Sequence, residues 1–125
     1  MPDRPTFIHN GSSLSRFTTL EVGGGFAALA SPMNDREVAE ALAWARAREQ
    51  AVLVLGGGSN LLAADADTNT LVLQSADFTI DVEVGADDRV RLHVGAGVEW
   101  DELVAFSVDE GLAGLECLSG IPGRV

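Results

Sequence analysis

The 125-residue chain predicts an α+β fold: a small βαβ-type subdomain over about 16–73, then the start of a second subdomain over 74–125. Three observations lead there. A strand, helix, strand pattern of hydropathy occupies Phe26 to Leu55. Two alternating segments with a Gly-Ala-Asp-Asp turn follow from Phe78 to Val94. A helix with an apolar stripe then runs from Glu99 to Glu110.

Residues 1–15 read as a flexible lead-in, with two prolines, Gly11 and no periodicity. Phe26–Ala30, FAALA, reads as a short strand that Ser31-Pro32 ends. Asn34 is placed as an N-cap with Glu37 three residues on, the capping-box spacing. Val38, Ala41, Leu42 and Ala45 then line one helical face, and the helix is expected to end near Gln50. Ala51–Leu55, AVLVL, is continuously apolar, which suits a parallel strand buried on both faces. The polar stretch Ala64–Thr70 is the weakest seam, and Leu71–Leu73 reads as a further strand.

In the second block, Ile80, Val82 and Val84 alternate with polar residues, as do Val90, Leu92 and Val94. A hairpin with one buried face is expected, with Asp81 and Glu83 opposite Arg89 and Arg91 on the other. Gly95-Ala96-Gly97 breaks the second strand before the helix, whose expected apolar stripe is Trp100, Leu103, Val104 and Val108. Gly111 suits its C-terminal cap. The tail is Gly-rich and ends just after Ile121-Pro122-Gly123 without a closing element, so a longer parent protein is expected.

Charge narrows the function. There are 19 acidic residues against 8 basic ones, all arginine, for a net charge of -11. Such a chain is a poor match for nucleic acid or an anionic membrane surface. Any phosphate it holds must be held mainly by backbone N–H groups. No apolar run is long enough for a membrane span, and the N-terminal residues lack a secretory apolar region. The single cysteine, Cys117, excludes an internal disulfide and fits a reducing, cytoplasmic setting. With no partner motif it reads as a small buried residue.

The sharpest local feature is Gly56-Gly57-Gly58-Ser59-Asn60, followed by Leu61, directly after the AVLVL strand. Glycines permit close approach of the backbone to a ligand, and successive N–H groups can cradle anionic oxygens. A plain Gly-rich turn explains the same letters equally well. A P-loop is excluded because the chain has no lysine. The Gly23-Gly24-Gly25 run carries the letters of a dinucleotide fingerprint but leads into a strand, not a helix. Gly95-Ala96-Gly97 reads as a tight turn, and Ser119-Gly120-Ile121-Pro122-Gly123 alone as a flexible loop. Arg124 is the one cation of that loop, able to meet a phosphate but expected to fray as a terminal residue. His93 falls on the polar face of the hairpin, and no acid–base pair or nucleophile triad is visible.

Taken together and in order, TTLEVGG at 18–24, VLVLGGGSNLL at 52–62, HVGAGVEW at 93–100 and GLECLSGIPG at 114–123 resemble the UDP-N-acetylenolpyruvoylglucosamine reductase (MurB) family. The resemblance covers about residues 16–125. It implies the N-terminal part, truncated, of a two-subdomain FAD-binding domain of the vanillyl-alcohol-oxidase (PCMH) type. It implies an NADPH-dependent flavin oxidoreductase that reduces a UDP-sugar, UDP-N-acetylenolpyruvoylglucosamine, to UDP-N-acetylmuramate for peptidoglycan. By that resemblance Gly56, Gly57, Gly58, Ser59, Asn60 and Leu61 hold the FAD pyrophosphate. Gly120, Ile121, Pro122 and Gly123 lie along the flavin. The family's catalytic arginine, serine and glutamate and its substrate domain match nothing here, so this chain alone is expected to be inactive. The alternative is a stand-alone FAD- or nucleotide-binding module without a reaction of its own.

Overall fold

A computed structural model describes residues 3–125. It contains a four-stranded mixed sheet, a separate two-stranded hairpin and two helices. The strands are β1 (Ile8–Asn10), β2 (Phe26–Ala30), β3 (Ala51–Val54), β4 (Thr68–Leu73), β5 (Ile80–Val84) and β6 (Val90–Val94). The helices are α1 (Asp35–Arg46) and α2 (Trp100–Asp109).

The sheet order is β1-β2-β4-β3, with β1 antiparallel to β2 and both β2 and β3 parallel to β4. The β2-α1-β3 crossover therefore skips one position, and β4 enters the gap. This corrects the expectation for AVLVL. It pairs in parallel, but at the edge, with Val52 39% and Val54 72% exposed. The doubly buried strand is β4, where Leu71 and Val72 are fully buried. It begins at Thr68, inside the stretch expected as a seam. That stretch is tied back to the sheet: Gly24 N–H donates to the Ala64 carbonyl, and Gly25 N–H donates to Asp67 Oδ1, each at 2.8 Å.

The expected lead-in also contains structure, although residues 1–2 lie outside the described ones. Ile8 is 3% exposed and pairs with Ala30, and a 3-10 turn at Leu14–Arg16 buries Leu14. Isolated apolar residues without periodicity gave no local signal for either.

Each face of the sheet has its own core. On one, Ala41, Trp44 and Ala45 of α1 meet Ile8, Ala28, Ala30, Leu71 and Leu73. On the other, Leu14, Phe26, Leu55 and Val72 cluster with Phe17 and Leu61, and the Phe17 and Phe26 rings meet edge-on at 5.6 Å. Alternation along β4 sends Leu71 and Leu73 to one side and Val72 to the other.

Asn34 caps α1 as expected, its side chain accepting from Glu37 N–H at 3.0 Å. The helix stops at Arg46, short of Gln50. Glu49 takes φ +52, and Gln50 N–H bonds back to the Ala45 carbonyl, a left-handed C-terminal cap.

The β5–β6 hairpin forms as expected, with Ile80 opposite Val94 and Val82 opposite Leu92. Of the expected charge pairs only Glu83 opposite Arg91 forms: Asp81 lies opposite His93, and Arg89 turns to Asp87 in the connecting turn. Glu83 accepts from His93 and Arg91 at 3.0 and 3.5 Å. The apolar face is not buried as expected: Val82 is 47% and Val84 76% exposed. In α2 the buried stripe is Leu103, Val104 and Ser107, and Val108 is exposed. The Ser107 hydroxyl is satisfied inside the helix, donating to the Val104 carbonyl at 2.8 Å. Gly111 closes α2 with φ +69. Cys117 is exposed rather than buried, because its 3-10 turn, Glu116–Leu118, contributes nothing to a core.

Candidate functional site

The loop after β3 is held from both ends. Leu55 and Leu61 anchor it in the second core cluster. Gln74 Nε2 donates to the Gly56 carbonyl at 2.8 Å, and Thr19 N–H donates to the Gly58 carbonyl at 3.0 Å. Gly58 is buried with φ +70, and a Cβ there would lie 1.8 Å from the Phe17 carbonyl oxygen. Glycine at 58 is thus required by the fold itself.

Gly56 and Gly57 differ. Both are exposed and neither has a positive φ. An added Cβ at Gly56 would meet nothing nearer than Arg124 Cβ at 4.0 Å, and at Gly57 nothing nearer than Gly123 Cα at 3.5 Å. Packing and backbone conformation therefore leave these two glycines unexplained. Ser59 and Asn60 form a turn, and among the described residues no hydrogen bond runs from the amides of Gly56 through Asn60 to a protein acceptor.

The second glycine loop is fastened by the first turn of α2. The Trp100 indole donates to the Leu118 carbonyl at 2.8 Å, and Trp100 N–H donates to the Gly123 carbonyl at 2.9 Å. Asp101 Oδ1 accepts from Gly120 N–H at 2.7 Å and from the Ser119 hydroxyl at 3.3 Å. Gly120 and Gly123 have φ of +85 and +118, which glycine alone adopts easily.

These two loops, far apart in sequence, meet. An added Cβ on Gly123 would lie 3.5 Å from Ser59 Oγ. A pocket of about 340 Å³ is lined by residues 53–61 together with Pro122, Gly123 and Arg124. A second, of about 430 Å³, adjoins it and includes Thr18, Gly57, Ser59, Gln74, Gly123 and Arg124. Of the expected residues, Gly56 through Leu61, Pro122 and Gly123 come together here, whereas Gly120 and Ile121 line neither pocket.

Three wall residues escaped the reading of the sequence. Thr18 is 6% exposed and donates to the Val22 carbonyl at 3.0 Å; it had signal only as part of TTLEVGG. Glu99 had signal only as the start of the second helix and as part of HVGAGVEW, and Gln74 carried none. Arg124 is not frayed: its Nε donates to Glu99 Oε1 at 2.9 Å, and its side chain is 20% exposed.

The other glycine runs are structural. A Cβ on Gly24 would lie 2.3 Å from the Ala66 carbonyl oxygen, and one on Gly95 would lie 2.3 Å from that of Asp77. Gly95-Ala96-Gly97 is the expected tight turn. Beside it, the Thr79 hydroxyl and then its amide hold the Asp77 carboxyl below the usual range. Among the described residues no group of three or more His, Cys, Asp or Glu side chains is placed to hold a metal, and no helix is long and apolar enough to cross a membrane.

Residues 26–125 match a family described as "FAD binding domain". The chain is 42% identical over 113 residues to the UDP-N-acetylenolpyruvoylglucosamine reductase of Saccharopolyspora erythraea, covering 90% of this chain and 31% of the relative. The enzyme of that name from Pseudomonas aeruginosa is also 42% identical, with 90% of this chain and 33% of the relative covered. Among solved structures, UDP-N-acetylenolpyruvylglucosamine reductase (MurB) from Thermus caldophilus superposes with a TM-score of 0.73 at 35% identity. That match covers 95% of this chain and 40% of the other. The chain thus spans about a third of the length of the curated relatives it matches. With an α+β fold of this kind and a family match over 26–125, the chain belongs to the FAD binding domain family and resembles part of the UDP-N-acetylenolpyruvoylglucosamine reductases.

Proposed function

We propose that this chain supplies the pyrophosphate-binding part of the FAD site in a reductase that converts UDP-N-acetylenolpyruvoylglucosamine to UDP-N-acetylmuramate, with NADPH as reductant. The observation that carries the reading is the pair Gly56 and Gly57. They keep a pocket wall free of side chains although the fold places no atom there that a Cβ would strike. Unpartnered amides at 56–60 suit the needs of an anion, and backbone donors suit a chain of net charge -11. Those features fit a pyrophosphate, with Ser59 and Asn60 adding side-chain donors.

Gly120, Ile121, Pro122 and Gly123 are assigned to the flavin side, where a backbone poor in side chains can lie against a flat ring. Bound FAD supplies a redox-active flavin that can pass a hydride from NADPH to the enolpyruvyl group. The chain's own residues bind and orient; none is assigned to proton transfer. The native reductase is read as a cytoplasmic participant in peptidoglycan synthesis.

The test is a flavin-fluorescence titration of the 125-residue chain with FAD. Weak binding that Gly57→Asp abolishes, without loss of the thermal transition, is expected, because the chain carries only part of the FAD cradle and the new carboxylate would face the pyrophosphate. No substrate-dependent NADPH oxidation is expected from the chain by itself. Binding indifferent to Gly57→Asp would remove the loop from the FAD site, and robust turnover would place catalytic groups within these residues.

A further inference from the structure

Resting on the FAD reading above, we propose that Arg124 is a phosphate-anchoring residue of this site, held in position by Glu99. The wall contributed by residues 56–61 offers only neutral donors. Arg124 lies directly across from it, its Cβ 4.0 Å from the place a Cβ on Gly56 would occupy, and it lines both pockets. Arg16, on the rim of the second pocket, is the other cation nearby.

The guanidinium is fixed rather than free. Arg124 pairs with Glu99 in an isolated antiparallel bridge, Val125 N–H donates to the Val98 carbonyl at 3.0 Å, and Trp100 N–H donates to the Gly123 carbonyl. The side chain is 20% exposed and spends only Nε on Glu99, at 2.9 Å. Among the described residues, its two terminal nitrogens have no acceptor. A guanidinium held through Nε presents those nitrogens as a fork, a geometry that matches two oxygens of a phosphate. Glu99 engages only Nε and so acts as a positioning residue. In a chain carrying -11, Arg124 is the cation that lines both pockets.

The experiment is an FAD titration of the 125-residue chain and its Arg124→Gln, Arg124→Lys, Glu99→Gln and Gly57→Asp variants, at low and at high salt. Arg124→Gln is expected to weaken FAD roughly tenfold at low salt, the scale of a charge-assisted contact. The gap should narrow as salt rises. Arg124→Lys should recover part of the loss. Glu99→Gln should change affinity with Arg124 present and have no effect in the Arg124→Gln background. Gly57-sensitive binding that Arg124→Gln leaves unchanged overturns the role of Arg124 alone. So does an equal loss with Lys and Gln that tracks a fallen melting temperature, since that would mark a structural role. Absent FAD binding, or binding indifferent to Gly57→Asp, removes the FAD reading and this inference with it.

Discussion

Gly57 and Gly58 are neighbours whose replacement by alanine should have opposite consequences. At Gly58 the φ of +70 places any L side chain in the left-handed region, at roughly 1–2 kcal/mol. The added Cβ would also stand 1.8 Å from the Phe17 carbonyl oxygen, so that backbone must retreat by about 1 Å or more. Retreat strains the Thr19 to Gly58 hydrogen bond, worth about 1 kcal/mol net, and the Phe17–Phe26 ring contact, worth about 0.5–1.5 kcal/mol. The total is about 3–4 kcal/mol, which for a domain of this size lowers the melting temperature by on the order of 10 °C. At Gly57 the Cβ meets an ordinary contact at 3.5 Å and φ is not positive. Gly57→Ala should leave stability within about 1 kcal/mol of the parent, and a small gain is expected from the stiffer unfolded chain. Thermal melts followed by circular dichroism decide it, with urea melts as the isothermal check. Equal melting temperatures for the two variants, or a larger loss at Gly57, would refute the claim that the fold requires one glycine and the ligand the other.

Two further outcomes follow from the fastenings of the site. Asp101→Ala should speed hydrogen exchange at the Gly120 amide while lowering the melting temperature by less than Gly58→Ala, since Asp101 is exposed and its acceptor role is confined to the 119–120 loop; unchanged exchange at Gly120 would deny that α2 holds the loop. Asn34→Ala removes the side-chain acceptor for Glu37 N–H and should cost about 1 kcal/mol in a urea melt, whereas Asn34→Asp, which keeps an acceptor oxygen, should retain most of it.

Local signals made much of the fold legible before any coordinates. The Asn34 cap, the β2-α1-β3 unit, the existence of the hairpin and the Gly111 cap are short-range features. Each depends on periodicity, a capping side chain or a turn residue within a few positions. The glycine loops were visible for the same reason. Their meaning was not, because Gly24, Gly58 and Gly95 are close-approach glycines while Gly56 and Gly57 are open. The letters are identical, and only the distance from an added Cβ to its neighbours separates them.

By itself the sequence determined the types of the periodic elements from Phe26 onward, the acidic character of the chain, and the co-linear motifs that resemble a flavin reductase. Strand order was decided only in three dimensions. AVLVL is as apolar as a central strand, yet β4 takes the centre because the β2-α1-β3 crossover leaves a gap that a later segment fills. The same long-range closure brought Gly123 to Ser59 and folded Arg124 onto Glu99. Hydropathy periods record which face of an element is apolar. They carry no record of which distant segment will cover it, and the site is built where such segments meet.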